Sequence, residues 1–288
     1  MEQNNGTQVT EFILLGFAGQ HKSWHILFTV FLIIYVTTLV GNIGTILLIK
    51  IDSCLHTPMY LFLQHLPFVD LCYTSAITPK MLQNFVGTEK SISFIGCMVQ
   101  LLVYSFCNKR LLYPFSYGIC IQFLVGSYIM GFLNASVNIS FIYSLNFCQS
   151  NKINHFFCDV PPILALSCSN TDLNIVLIMV FVGINLTFTV WVVIFSYIYI
   201  LAAILKISSA AGRRKASSRC ASHLTAVIFY GTLSYMYLHH GTNESQEQEK
   251  MASVFYGIMI PMLNPLIYSL RSQDMIEALK RIGKNKCL

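Results

Sequence analysis

The sequence predicts an all-α, polytopic membrane protein: a bundle of seven transmembrane helices whose third helix is truncated. Three observations carry that expectation. Only 10% of the 288 residues are charged and 55% are apolar, with a mean hydropathy of +0.62, whereas a soluble domain is about one quarter charged. Long stretches hold no Asp, Glu, Lys or Arg: 23–49, 111–151, 173–205, 220–243 and 251–270. Each can form a helix across a hydrocarbon core of roughly 30 Å. Basic residues also gather on alternate connecting segments. With the N-terminus outside, the inner segments hold 13 of the 18 Lys and Arg against three acids, and the outer ones five against eight. That asymmetry is the bias of cytoplasmic loops, and the reversed orientation violates it. The net charge of +6 therefore reflects topology, and no nucleic-acid partner is expected.

The elements follow in order. The outer N-terminus, 1–22, lacks the basic start and short apolar core of a cleaved signal peptide, so the first span is its own anchor. Asn5-Gly6-Thr7 is a glycosylation sequon on the expected outer side. Spans are expected at about 23–49, 58–79, 91–108, 118–145, 173–205, 220–240 and 251–270, with a cytoplasmic tail at 271–288, all in one domain. The second is apolar apart from Asp70. The third is the difficult one, because its continuous apolar part runs only from Phe94 to Cys107 and includes Gln100. Those residues rise about 21 Å, short of the hydrocarbon thickness. Crossing then requires local thinning and snorkelling by Lys109 and Arg110. A tight two-span hairpin within 111–151 is the competing arrangement, and it restores the later orientations.

Asp70 is the one ionisable residue that must sit at membrane depth, where a charge is expensive and defaults to a functional assignment. Asn42 in the first span and Asn264 in the last are its natural partners. Pro265 frees a backbone carbonyl one turn back and kinks the last helix. Cys97, Cys148, Cys158 and Cys168 fall at or beyond the outer face, where thiols oxidise. Four cysteines allow three pairings, and spacing does not choose between them. The neighbouring His239 and His240 have no further ligands around them, so no metal site is expected. No HExxH, GxSxG, Walker loop or CxxC pair occurs, so neither an enzyme nor a cofactor is expected. Two related halves with broken helices, the mark of many transporters, are absent as well.

Longer strings resemble a known family. Leu55-His-Thr-Pro-Met-Tyr-Leu-Phe-Leu, continuing to Phe68-Val-Asp-Leu-Cys-Tyr, is similar to the first inner loop and second span of vertebrate odorant receptors. Lys215-Ala-Ser-Ser-Arg-Cys-Ala-Ser-His-Leu-Thr and Phe229-Tyr-Gly-Thr resemble their sixth span, and Pro261-Met-Leu-Asn-Pro-Leu-Ile-Tyr-Ser-Leu-Arg their seventh. His155-Phe-Phe-Cys-Asp-Val-Pro-Pro with Leu166-Ser-Cys-Ser resembles their second outer loop. The chain is thereby identified as a member of the olfactory receptors, rhodopsin-like G-protein-coupled receptors. The resemblance implies disulfides Cys97–Cys158 and Cys148–Cys168. It implies a polar cluster of Asn42, Asp70 and Asn264 that repacks on activation, with Tyr197, Tyr230 and Tyr268 as switch residues. It implies a small volatile odorant held by Tyr104, Ser105, Phe181, Asn185, Leu233 and Tyr237, a heterotrimeric G protein as partner, and a plasma-membrane location.

One departure outweighs the others. Where the family continues through an acidic residue to a Met-Ala-Tyr-Asp-Arg-Tyr-like segment, this chain passes from Ser105-Phe-Cys-Asn-Lys-Arg straight to Leu111-Leu-Tyr-Pro. No Asp-Arg-Tyr string occurs in it. Two functions therefore compete: odorant detection through a stimulatory G protein, and a receptor-derived membrane protein that no longer couples. A channel or transporter is a distant third.

Overall fold

The computed structural model describes residues 9–16, 24–56, 58–87, 90–107, 117–147, 150–205, 250–269 and 273–283. Strand β1 (Glu11–Leu14) leads into helix α1 (Trp24–Ile51), followed by a 3-10 turn at Ser53–Leu55 and helix α2 (Pro58–Val86). Strand β2 (Ser91–Ser93) runs directly into α3 (Phe94–Cys107), and α4 spans Tyr117–Tyr143. Then come β3 (Lys152–Ile153), the short α5 (Val160–Leu164) and α6 (Asp172–Leu205). Helix α7 starts at Lys250, passes through a π turn at Phe255–Met259 and continues as Ile260–Ser269; α8 is Gln273–Gly283. The expected sixth span lies outside the described residues.

The burial pattern is inside out relative to a soluble protein. On α1 the buried residues include Thr38, Asn42 and Thr45, while Ile33, Val36, Val40, Ile43 and Leu47 are exposed. Val40 is 68% exposed and Asn42 fully buried. Such a helix is stable only where its surroundings are apolar, so that the polar stripe finds its partners between helices. On α2 the same logic buries Asp70, Thr74 and Thr78 and exposes Phe68 and Val86. Helix α1 packs against α2 and α7, and α3 packs between α2 and α4.

The end of the bundle that carries the N-terminal strand, the expected outer end, is closed by a three-stranded sheet in the order β2-β1-β3. The N-terminal strand is central, antiparallel to β2 and parallel to β3. Its alternation buries Phe12 and Leu14 and exposes Glu11, as period-two geometry dictates. Phe12 packs edge-on against Phe147, with ring centroids 5.6 Å apart.

The inner end is closed by α8, which lays Met275 and Ala278 on Leu48, Ile49, Leu55 and Tyr60. Two polar contacts fix it. The Tyr60 hydroxyl donates to Asp274 at 3.0 Å. Arg281 donates from both Nε (3.0 Å) and Nη2 (2.7 Å) to Asp52, which is fully buried. The other Asp52 oxygen caps the 3-10 turn by accepting from the Cys54 N–H. Burial works to raise the Asp52 carboxyl, but the Arg281 and Cys54 bonds outweigh it and hold the group below its ordinary value of 3.8. Replacing Arg281 by Met leaves a buried carboxylate without its cation. We expect a loss of about 2 kcal/mol, discounted for the partial exposure of Arg281. Thermal unfolding of the detergent-solubilised protein measures it, and D52N should recover part of that loss.

A polar membrane core and an aromatic outer cap

The buried polar core of the bundle is built around a backbone defect. Pro265 has no N–H, so the carbonyl of Pro261, one turn earlier on α7, loses its helical partner. Asn42 supplies the missing donor. Its Nδ2 reaches the Pro261 oxygen at 3.0 Å and the Thr38 oxygen of its own helix at 2.9 Å. Gly41 permits the approach, since a Cβ there would lie 3.1 Å from the Pro265 ring. Adjacent to Pro265, Asn264 donates to Asp70 on α2 at 2.7 Å, and Asp70 and Asn264 are both buried. Asn42 thus serves the α7 backbone, and Asn264 serves the carboxyl group.

The outer half is organised by α3 and the second outer loop. Cys97 is disulfide-bonded to Cys158, with a Cα–Cα distance of 5.5 Å. One turn along, Gln100 donates to the Ala76 carbonyl of α2 at 2.8 Å and accepts from the Cys158 N–H at 2.8 Å. A single buried amide therefore joins α2, α3 and the loop. From this anchor the loop turns Phe156 and Phe157 into the bundle, where they pack in one cluster with Tyr73, Ile77 and Ile258. Tyr104 lies beneath, its ring 5.5 Å from Phe157 and 5.2 Å from Tyr73. His155 is buried behind the pair, edge-on to Phe157 with ring centroids 4.5 Å apart.

Of the residues singled out from sequence, Asp70, Asn42, Asn264, Cys97, Cys158 and Tyr104 thus have their surroundings defined. Phe181 is half-buried on α6. Ser105 on α3, Asn185 and Tyr197 on α6 and Tyr268 on α7 lie on helices, their side chains outside the description. Leu233, Tyr237, Tyr230, Asn5, Cys148, His239 and His240 fall outside the described residues. Cys168 is disulfide-bonded. Sequence reasoning gave no role to Gln100, Phe157 or Lys250. A lone amide in an apolar stretch was the available signal for Gln100, while the roles of Phe157 and Lys250 depend on where a loop folds back.

Helices that bury their polar stripes and expose their apolar ones, under a disulfide-tied loop, mark an integral membrane helix bundle. Squid rhodopsin has the same fold, with a TM-score of 0.63 over 92% of this chain and 87% of its own, at 16% identity. A sequence model described as olfactory receptor matches residues 31–117 and 115–286. Human olfactory receptor 5AK2 is 60% identical over 306 residues, covering 99% of both chains. Human olfactory receptor 5AK3 is 60% identical over 296 residues, covering 95% of this chain and 99% of its own. Mouse olfactory receptor 5AP2 is 49% identical over 307 residues, covering 99% and 97%. The chain belongs to the olfactory receptor family, whose members are multi-pass membrane receptors and not enzymes.

Two outcomes follow. Asn42→Leu leaves the Pro261 carbonyl unpaired in the core and should lower stability by about 1–3 kcal/mol. In a Pro265→Ala background, which restores the helical N–H, the loss should shrink; thermal unfolding of the four proteins tests it. Second, burial pushes the His155 imidazole below its ordinary value of 6.5, so the unfolded loop binds the extra proton first. Its contribution is therefore intact above that ordinary value and lost as the pH falls below it. Unfolding temperatures measured down to about pH 5 should drop less for His155→Gln than for the parent.

Proposed function

We propose that this olfactory-family chain binds small volatile odorants inside its helix bundle, under the Phe156–Phe157 cap. The cap is the observation that carries the reading. Phe157, Tyr73 and Tyr104 form an apolar surface with hydroxyl groups on it, the chemistry that suits a small, weakly polar ligand. Tyr104, Ser105, Phe181, Asn185, Leu233 and Tyr237 are assigned to ligand contact. A ligand acts by binding one state of the bundle more tightly than the other. The element it biases is the Asn42, Asp70 and Asn264 cluster, with Tyr197, Tyr230 and Tyr268 rearranging and a stimulatory G protein reading the result. The N-terminus is assigned to the outside of the plasma membrane.

A second reading has its own support. The two matched segments of the family model meet at residues 115–117. An alignment of 306 residues exceeds this chain's 288 by 18, so at least that many positions of it have no counterpart here. Both facts favour a third span whose inner half, with the Asp-Arg-Tyr region, is missing. The protein then holds ligand without coupling to a G protein, or stays in the endoplasmic reticulum.

Surface staining and a cyclic-AMP assay separate the two. One tag precedes Asn5 and the other sits at exposed Asn170, clear of the sheet. Under the first reading both tags stain on intact cells and an odorant panel raises cyclic AMP. Under the second, the response appears only after the corresponding segment of a relative is inserted behind Cys107. Silence of the surface-exposed chimera across the panel would count against odorant detection itself.

A further inference from the structure

Lys250 opens the last described membrane helix and yet is only 4% exposed. Its Nζ donates to Asn154 Oδ1 at 2.7 Å and lies 3.4 Å from the carbonyl oxygen of Gly16. These acceptors belong to different parts of the outer end: Asn154 to the second outer loop, Gly16 to the N-terminal segment just after β1. Gly16 is itself a junction. Its φ is +52°, a conformation that favours glycine, and a Cβ there would lie 3.3 Å from the Phe156 ring. Its N–H donates to the His155 carbonyl at 3.1 Å, and the Leu15 N–H donates to the Ile153 carbonyl at 2.9 Å. The N-terminal segment is thus zipped to the loop up to Phe156, and at the end of the zipper both are held by one cation rooted in α7.

We propose that Lys250 is the latch of a two-part lid, formed by the N-terminal segment and the second outer loop, that seats Phe156 and Phe157 over the outer mouth of the bundle. Lys250 is a positioning residue: it acts on Tyr104 and its surroundings through the loop, by way of Asn154 and the Phe156–Phe157 pair. That this lid covers an odorant site rests on the reading above; the latch itself does not. The disulfide fixes the loop at Cys158; on the far side of that anchor strand pairing and apolar packing seat the loop and the N-terminal segment, and Lys250 adds a polar tie from both to α7.

The test uses the full-length chain in lipid nanodiscs without ligand. Val103→Cys, packed beside the Phe156–Phe157 cluster without a ring in its stack, reports access under the lid by its rate of reaction with a charged maleimide, above the background of the parent. Lys250→Met, which keeps the stem and removes the charge, should raise that rate about tenfold, the effect of losing one hydrogen bond to a charged group. Asn154→Ala, at an exposed position that cannot unfold the core, should raise it in the same direction. Lys250→Arg should stay near the parental rate. Amide exchange at residues 13–16 and 153–157 should rise in step, with α8 unchanged. The latch is overturned by an unchanged labelling rate in both Lys250→Met and Asn154→Ala, or by α8 loosening as much as the loop. Because no odorant enters the measurement, a silent odorant panel alongside a working latch would remove only the ligand assignment.

Discussion

A carbonyl without a donor cannot be left inside hydrocarbon, where no water replaces the lost bond and the deficit is several kcal/mol. Pro265 creates such a carbonyl at Pro261, and the centre of the bundle is arranged around its satisfaction. Asn42 must face α7, which fixes the rotation of α1. Gly41 lets α1 approach the Pro265 ring closely, since a Cβ there would lie 3.1 Å from it and press the helices apart by a few tenths of an ångström. The residue next to the proline, Asn264, then points at α2 and meets Asp70. Three helices are registered against one another by polar groups that pair between helices rather than face the hydrocarbon.

Both ends of the bundle repeat that economy with different chemistry. At the outer face Gln100 and the Cys97–Cys158 disulfide bind the second outer loop to α3 and, through Ala76, to α2. The N-terminal strand fills the gap between β2 and β3 and adds Phe12 and Leu14 to a core shared by α3, α4 and the loop. At the inner face Asp52 answers two demands at once, capping a turn with one oxygen and binding Arg281 with the other. Gln100 and Asp52, one at each end, are both polar, buried and multiply bonded.

Among the described residues, what α3 contributes to these outer ties lies in its first three turns: Cys97, Gln100 and Tyr104, with Met98 and Leu101 in the shared core. The disulfide, the α2 bridge and the aromatic stack are therefore complete by Tyr104, ahead of the point where the family strings break off. The half of the bundle beneath the sheet is therefore tied together by residues that come no later on α3 than Tyr104.

The sequence alone determined that the chain is helical and membrane-embedded, because charge gaps and the sidedness of Lys and Arg are direct consequences of the bilayer as solvent. It also marked Asp70 and Pro265 as residues whose placement in a membrane demands partners, and the family strings supplied the Cys97–Cys158 pairing that spacing left open. Which partner answers which demand was decided only by tertiary structure. Asn42 and Asn264 are interchangeable on paper, and only helix rotation sends one to a carbonyl and the other to a carboxyl. In sequence Lys250 is one of five bases on the expected outer segments, and Gly16 carries no signal of its own. They become neighbours because strands far apart in the chain pair side by side, and no local pattern encodes a contact that a folded-back loop creates.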